Sequence, residues 1–174
     1  MLALALAASP LPALAQPAAP GGVAGAMGQG APSPADRLNA AMSQIGLTAC
    51  AGAVQRAANF LFEDGEVNFS VQPLGPDANR WPTVVVIEGA HANMGRTRLT
   101  TLTVSPGPGC SGFYEQVIYW PTGCDQLQKT VFAAFQAPHP LLRTVQVSEL
   151  SASVQLYLMP SGAGCTSVKK EMFH

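Results

Sequence analysis

Charged residues are scarce in this chain: Asp, Glu, Lys and Arg together make up 11% of its 174 residues, and the formal net charge is −1. The few basic residues are scattered among acidic ones, so the sequence has neither a basic stripe for nucleic acid nor a polybasic patch for anionic lipid. We therefore expect no nucleic-acid partner. Hydrophobic residues make up 48% of the chain, which is enough for a folded core and excludes a disordered or fibrous protein.

The sequence motifs of common hydrolytic enzymes are also missing. The chain has no G-x-S-x-G nucleophile elbow and no H-E-x-x-H zinc motif, and it contains three histidines. Of these, His91 has the most suggestive neighbour, because Glu88 precedes it by three residues at the end of a predicted strand. Such a pair could orient a general base or bind a metal, but residues i and i+3 of a strand do not share a face. A solvated loop histidine is the favoured interpretation, and we expect no metal and no cofactor.

No charged residue precedes Asp36, so the N-terminus lacks the basic start of a typical secretory signal peptide. Residues 1–15, MLALALAASPLPALA, nevertheless show the apolar run and the A-x-A cleavage pattern of such a signal. One hypothesis for the missing charge is that the signal begins further upstream. Pro10 and Pro12 interrupt a run that is already shorter than the about 20 apolar residues of a membrane span, so we expect no integral membrane span in the mature chain.

The residues after this signal predict a tether followed by one domain. Residues 16–33 consist mainly of Ala, Pro and Gly without a period, a composition that is typical of a flexible linker. Residues 34–174 contain the helical and strand patterns, together with all four cysteines. We therefore predict a single disulfide-stabilised domain over residues 34–174.

A helical pattern opens this domain. Ser33 is predicted to cap the first helix, because Asp36 stands three residues later and can complete a capping box. Apolar residues then recur at helical spacing as far as Leu61, but Gly46 leaves open whether they form one helix or two. A second, short helix is predicted after Thr122, which also has an acidic residue three positions later.

Alternation of apolar and polar residues replaces the helical period from Val67 onward. The pattern leaves open whether the fifth predicted strand is interrupted near Glu149. The chain therefore predicts an α+β fold, with a mainly antiparallel sheet of about five to six strands and both helices packed on one face. The predicted strands are 67–72, 83–88, 97–104, 113–120, 145–159 and 165–173.

The four cysteines favour two structural disulfides, because no two of them have the close C-x2-4-C spacing of a zinc site or a redox motif. Cys110 and Cys124 flank a strand of about 26 Å, whereas linked Cα atoms lie within about 7 Å, so this pair is excluded and two pairings remain. A helical crossover would make strands four and five run in the same direction. Strand six would then begin beside the end of strand four, which favours Cys124 with Cys165 and Cys50 with Cys110.

Aromatic residues provide the candidate binding positions. Trp81, Tyr114 and Trp120 combine apolar area with a polar tip, which suits a stacking platform for a sugar or a peptide. Neighbouring positions of a strand point to opposite faces, so Tyr114 and Trp120 cannot share a surface with Phe113 and Tyr119. A role in the core is the favoured interpretation of these aromatics.

These patterns favour an exported, non-enzymatic binding or assembly component of the cell envelope, periplasmic or secreted, with an envelope protein or a glycan as its partner. One alternative is a small periplasmic enzyme that uses His91 and Glu88. Another is a glycan-binding or peptidoglycan-binding module that uses exposed aromatics such as Trp81 and Trp120.

Overall fold

The structure is a computed structural model that describes residues 32–62, 67–91, 96–141 and 143–174. The predicted signal peptide, residues 1–15, and the predicted tether as far as residue 31 lie outside the described residues. The predicted domain boundaries therefore stay a prediction. Among the helices that the structure describes, none is long and apolar enough to cross a membrane.

Two helices begin the described chain: α1 spans Pro34–Gln44 and α2 spans Ala51–Leu61. The Ser33 side chain accepts a hydrogen bond from the Asp36 N–H at 3.1 Å, and the Asp36 carboxylate accepts one from the Ser33 N–H at 3.3 Å. This is the predicted capping box, which satisfies two backbone donors that the first helical turn leaves unpaired. Gly46 lies just after α1 with φ +79°, a conformation that glycine adopts without strain, and it separates the two helices.

The sheet contains eight strands in the order β1-β2-β3-β4-β8-β7-β6-β5, and all neighbouring strands are antiparallel. The α+β class with a mainly antiparallel sheet is confirmed, but the predicted number of five to six strands is wrong. The strands are β1 Val67–Pro73, β2 Thr83–His91, β3 Arg96–Ser105, β4 Ser111–Trp120, β5 His139–Pro140, β6 Gln146–Ser151, β7 Val154–Ser161 and β8 Gly164–Phe173.

The two additional strands come from one hairpin and one very short edge strand. The segment 145–159, predicted as one strand, is folded back on itself as β6 and β7, with a turn in which the Ser153 N–H donates to the Ser151 hydroxyl. The turn contains no Gly, Pro, Asn or Asp, so the usual signals of a hairpin are missing from the sequence. The edge strand β5 pairs with β6 through two residues only.

The structure also corrects the prediction that the fourth and fifth predicted strands run in the same direction. The β6 half of the segment 145–159 runs antiparallel to β4, and the β7 half runs parallel to it, because β8 lies between β4 and β7 and is antiparallel to both. The start of β8 nevertheless lies beside the end of β4, where Cys165 is opposite Trp120.

The second predicted helix is α3, Cys124–Thr130. Its N-cap is Gly123 rather than the predicted Thr122, and no side chain caps it. The helix ends where β-branched Thr130 and Val131 follow each other, a pair with low helix propensity. Phe132 and Phe135 in the following turns pack against the core, whereas Val131 is 49% exposed.

The core consists of two clusters that share one face of the sheet. The first contains residues of α1, α2 and strands β1 to β4, and the second contains residues of α3, β4, β7 and β8. On β4, Tyr114 belongs to the first cluster, whereas Ile118 and Trp120 belong to the second. These three positions differ by even numbers and therefore lie on the same face, so all three described helices cover that face. We call it the helical face.

Two disulfides connect helical segments to the sheet. Cys50, which precedes α2, is bonded to Cys110 at the turn before β4, with a Cα–Cα distance of 5.5 Å. Cys124, the first residue of α3, is bonded to Cys165 on β8, with a Cα–Cα distance of 5.1 Å. These are the two pairs that the sequence favours.

Candidate functional site

The predicted Glu88–His91 pair belongs to one strand. Both residues lie on β2, where Glu88 is exposed. The side chain of His91 lies outside the described part of the structure, so a catalytic role for this pair stays a prediction. Within the described ranges, no group of His, Cys, Asp and Glu residues is arranged to hold a metal ion.

The three predicted aromatic binding residues lie in three different environments. Trp120 is 4% exposed, and its indole N–H donates to the Ser167 hydroxyl at 2.8 Å within the second core cluster. Tyr114 is buried in the first cluster. Trp81 is 52% exposed in the loop between β1 and β2. The structure therefore does not bring these three side chains together into one stacking platform.

A polar network lies on the helical face beside Tyr114. The Tyr114 hydroxyl donates to the Glu171 carboxylate, and Lys169 Nζ lies 3.0 Å from the same carboxylate oxygen and 3.1 Å from the Tyr114 oxygen. Burial, followed by the hydrogen bond and the charge of Glu171, raises the pKa of Tyr114 well above its ordinary value. Burial also acts to raise the pKa of Glu171, but hydrogen bonds from Tyr114 and Lys169 and the Lys169 charge outweigh it and lower that pKa. The network therefore holds a neutral phenol, a carboxylate and an ammonium group.

A small cleft adjoins this network. Its volume is about 120 Å³, and its lining includes Arg98, Gln116, Trp120, Phe132 and Lys169. Small-molecule sites usually measure about 300–1,000 Å³, so this cleft is too small for an ordinary organic substrate. We interpret the network as a structural group of polar side chains that occupies the space between the two apolar clusters.

The opposite face of the sheet is covered by none of the described helices, and we call it the outer face. It is formed by alternate residues of each strand, such as Val117 on β4, whose neighbours Gln116 and Ile118 belong to the helical face. Leu99 of β3, Val117 of β4, Val168 of β8 and Tyr157 of β7 are successive cross-strand neighbours. These four residues form a continuous row across the middle of the outer face, which we call the apolar ladder.

Several large apolar side chains on the outer face are open to solvent. Leu99 is 45% exposed and Tyr119 is 50% exposed, and Val86 and Met172 are each more than a third exposed. A sheet face that stays in water normally carries polar side chains at most of its positions. The outer face combines its apolar residues with threonines at positions 97, 101, 103 and 166, which suit either water or a partner.

Two of the charged residues on the outer face, Glu115 and Lys170, lie at its centre, whereas Glu88 on β2 and Glu149 on β6 lie further out. Lys170 Nζ lies 3.6 Å from a carboxylate oxygen of Glu115 on the neighbouring strand. The same ammonium group lies 4.4 Å from the centre of the Phe113 ring, within the range of a cation–π interaction. Lys170 and Glu115 therefore neutralise each other at the boundary between β4 and β8.

The outer face is not flat. A depression of about 470 Å³ is lined by residues of β1, β2 and β3, including Val86 and Leu99. On the other side of the sheet centre, β7 carries the larger side chains of Tyr157 and Met159 on the same face. The outer face thus has a recessed half and a half with bulky side chains.

The sequence of β4 contains one signal for this face. In β4, Phe113, Val117 and Tyr119 alternate with Tyr114, Ile118 and Trp120, so the strand has apolar side chains on both of its faces. A strand of that kind is typical of a sheet that is covered on both faces.

A scan against protein-family models, a search of curated proteins and a search of solved structures found no match to this chain.

Proposed function

We propose that this chain is an exported, non-enzymatic binding component of the cell envelope, periplasmic or secreted, that docks another protein chain on its outer face. The observation that supports this proposal most directly is the apolar ladder, whose Leu99 is 45% exposed and whose neighbours on the same face include exposed Tyr119. A row of apolar residues across a sheet face that no described helix covers favours a docking surface, because contiguous exposed apolar surface of more than a few hundred Å² marks interaction sites.

The energetics favour occupation of the outer face. Burying a half-exposed Leu or Tyr side chain stabilises a complex by about 1 kcal/mol, because apolar area removed from water contributes about 25 cal/mol per Å². Several such side chains lie close together on the outer face. Their combined burial can offset part of the translational and rotational entropy that association costs.

Two further features support export and a protein partner. Two disulfides suit an oxidising compartment outside the cytosol, in agreement with the predicted signal peptide. Among the exposed large hydrophobic residues of the outer face, Val86, Leu99 and Met172 are not aromatic, and Tyr119 is aromatic. Side chains without a ring suit a protein partner better than a glycan, which binds by stacking on aromatic rings.

The proposal is tested with two matched substitutions of exposed leucines. Leu99→Glu places a charge in the apolar ladder, whereas Leu74→Glu places the same charge in the β1–β2 loop, where Leu74 is 53% exposed. We expect the unchanged protein in a native envelope extract to migrate as a complex larger than one chain. Leu99→Glu should reduce that complex at least tenfold, and Leu74→Glu should leave it unchanged. Native gel electrophoresis with immunodetection measures the sizes.

Migration of the unchanged protein as a single chain in that extract would count against the proposal. Equal effects of the two substitutions would also contradict it, because they would show a general response to added charge rather than the loss of a docking surface.

A further inference from the structure

We infer that the chain docked on the outer face is a second copy of the same protein, so that two sheets pack face to face in a two-fold symmetric dimer. This inference rests on the proposed function, since it names the partner of the same face. It follows from four properties of the outer face: its size, the position of its ladder, the arrangement of its charges and its shape.

The size of the outer face matches what a stable dimer requires. Seven strands of six to ten residues lie side by side, which gives six spacings of about 4.8 Å, and eight residues along a strand extend about 26 Å. The face therefore covers on the order of 700 Å², which is close to the about 800 Å² that a specific protein interface buries on each partner.

The strand order places the apolar ladder where a two-fold axis can use it. The boundary between β4 and β8 has four strands on each side. A two-fold axis along that boundary, in the plane of the interface, places β4 of one copy on β8 of the other and β3 on β7. Val117 then faces Val168 of the second copy, and Leu99 faces Tyr157 of the second copy. Packed sheets cross at about 30°. Such a crossing displaces residues near the centre of the interface least, so these contacts are retained.

The same axis makes the central charges complementary. Glu115 and Lys170 are cross-strand neighbours on β4 and β8, so exchanging these two strands places Glu115 of one copy opposite Lys170 of the other. The four charges alternate in sign around the axis. Burial in the dimer therefore leaves none of them without a partner, which is the condition under which buried charges are tolerated.

The shape of the outer face is also self-complementary about this axis. The depression on β1 to β3 lies on one side of the axis, and Tyr157 and Met159 of β7 lie on the other. Rotation by the two-fold axis brings the bulky side chains of one copy toward the depression of the second copy. Each copy thus supplies both the projecting and the receiving half, as an isologous interface requires.

Sedimentation velocity on the purified protein tests this inference. We expect a reversible dimer whose fraction rises with protein concentration. Leu99→Glu should weaken the dimer at least a hundredfold and give a monomer at the same concentrations, whereas Leu74→Glu should sediment as the unchanged protein does. Circular dichroism of each variant should match that of the unchanged protein and show that both are folded.

Charge reversal tests the predicted axis. Glu115→Lys gives each copy two positive central charges, and Lys170→Glu gives each copy two negative ones, so each variant alone should dimerise at least tenfold more weakly. Mixing the two variants should restore dimerisation, because each copy then meets the opposite charges on the other. Mixing that restores nothing would overturn the predicted axis.

A purified protein that stays monomeric up to its solubility limit would overturn the inference. The result in the envelope extract then distinguishes the two proposals. A complex in the extract that Leu99→Glu disrupts would leave the proposed function standing with a different protein as partner, whereas a single chain in both experiments would contradict both.

Discussion

At the scale of residues, the polar network of Tyr114, Lys169 and Glu171 explains why the core is divided into two clusters. Three polar side chains occupy the helical face beside the first cluster and the small cleft, and they satisfy one another by hydrogen bonds. Polar groups that are partly buried are tolerated when their partners are fixed in this way. Lys169 also lies 5.7 Å from the centre of the Phe60 ring, so the network contacts α2 as well as the sheet.

Glu171→Gln tests the energetic value of this network. The folded protein holds the pKa of Glu171 below its ordinary value, so unfolding takes up a proton at low pH. The stabilisation is therefore complete above the ordinary glutamate pKa of about 4.3 and is lost as the pH falls through the lower folded value. Because Glu171 is partly exposed, we expect the substitution to cost only about 1 kcal/mol at neutral pH.

Urea unfolding at a series of pH values measures this difference. The unchanged protein should be more stable than Glu171→Gln at neutral pH, and the difference should shrink as the pH falls below about 4. Glu88→Gln replaces an exposed carboxylate of β2 and serves as the control, with an expected change within about 0.5 kcal/mol. A difference for Glu171→Gln that does not depend on pH would show that the charge of Glu171 contributes nothing to folding.

At the scale of elements, the pairing of β4 with β8 depends on a glycine. A Cβ atom added to Gly164 would lie 2.1 Å from the Trp120 carbonyl oxygen, which is backbone and cannot move aside alone. Gly164→Ala should therefore force the start of β8 away from β4 and destabilise the protein by about 2 kcal/mol or more. Gly107 has no atom within 4 Å of an added Cβ, so Gly107→Ala is the control.

Thermal unfolding of the two glycine variants gives the comparison. Gly164→Ala should lower Tm by several degrees, whereas Gly107→Ala should leave it nearly unchanged. Equal shifts in the two variants would contradict the close approach of Gly164 to Trp120.

The elements that were predicted correctly are those with local signals in the sequence. The start of α1 follows from Ser33 and Asp36, which are three residues apart. Strand β1 follows from the alternation of apolar and polar residues, and β2 follows from its short continuous apolar run. The β6–β7 hairpin was missed because its turn around Ser153 has no turn-forming Gly, Pro, Asn or Asp. The sequence did not predict β5 because a strand of two residues has no period.

The candidate site was less predictable because it depends on long-range pairing. Leu99, Val117, Val168 and Tyr157 come from four strands, and they form a ladder only when the order β3-β4-β8-β7 and its register are known. A slip of one residue in any pair would move a whole strand's side chains to the other face. The apolar character of both faces of β4 is visible in the sequence, but the register in which β3 and β8 pair with β4 is not.

At the scale of the whole molecule, one sheet joins two core clusters, and each cluster contains or contacts one disulfide. Cys50 is buried in the first cluster and Cys110 packs against it, whereas Cys124 and Cys165 are both buried in the second. The two bonds close loops of 60 and 41 residues. By the chain-entropy estimate, each bond stabilises the fold by about 4 kcal/mol, so the two should be nearly equal in free energy.

The two bonds should nevertheless differ in what their removal changes locally, because Cys165 is directly opposite Trp120 in the β4–β8 pairing and Cys50 lies in the other cluster. In a Trp81→Phe background, Trp120 is the single tryptophan and reports on the second cluster. Removing the second bond with Cys124→Ser and Cys165→Ser should shift the Trp120 fluorescence to longer wavelength in the native state, because water then reaches its indole.

The matched variant, in which both cysteines of the first bond are replaced by serine, should lose about the same free energy of unfolding in urea and keep the Trp120 emission of the unchanged protein. This expectation holds because Trp120 packs on Phe132 and Ser167, neither of which belongs to the first cluster. An equal fluorescence shift in both variants would show that the shared strand β4 transmits the disturbance between the clusters, which would then act as one packing unit rather than two.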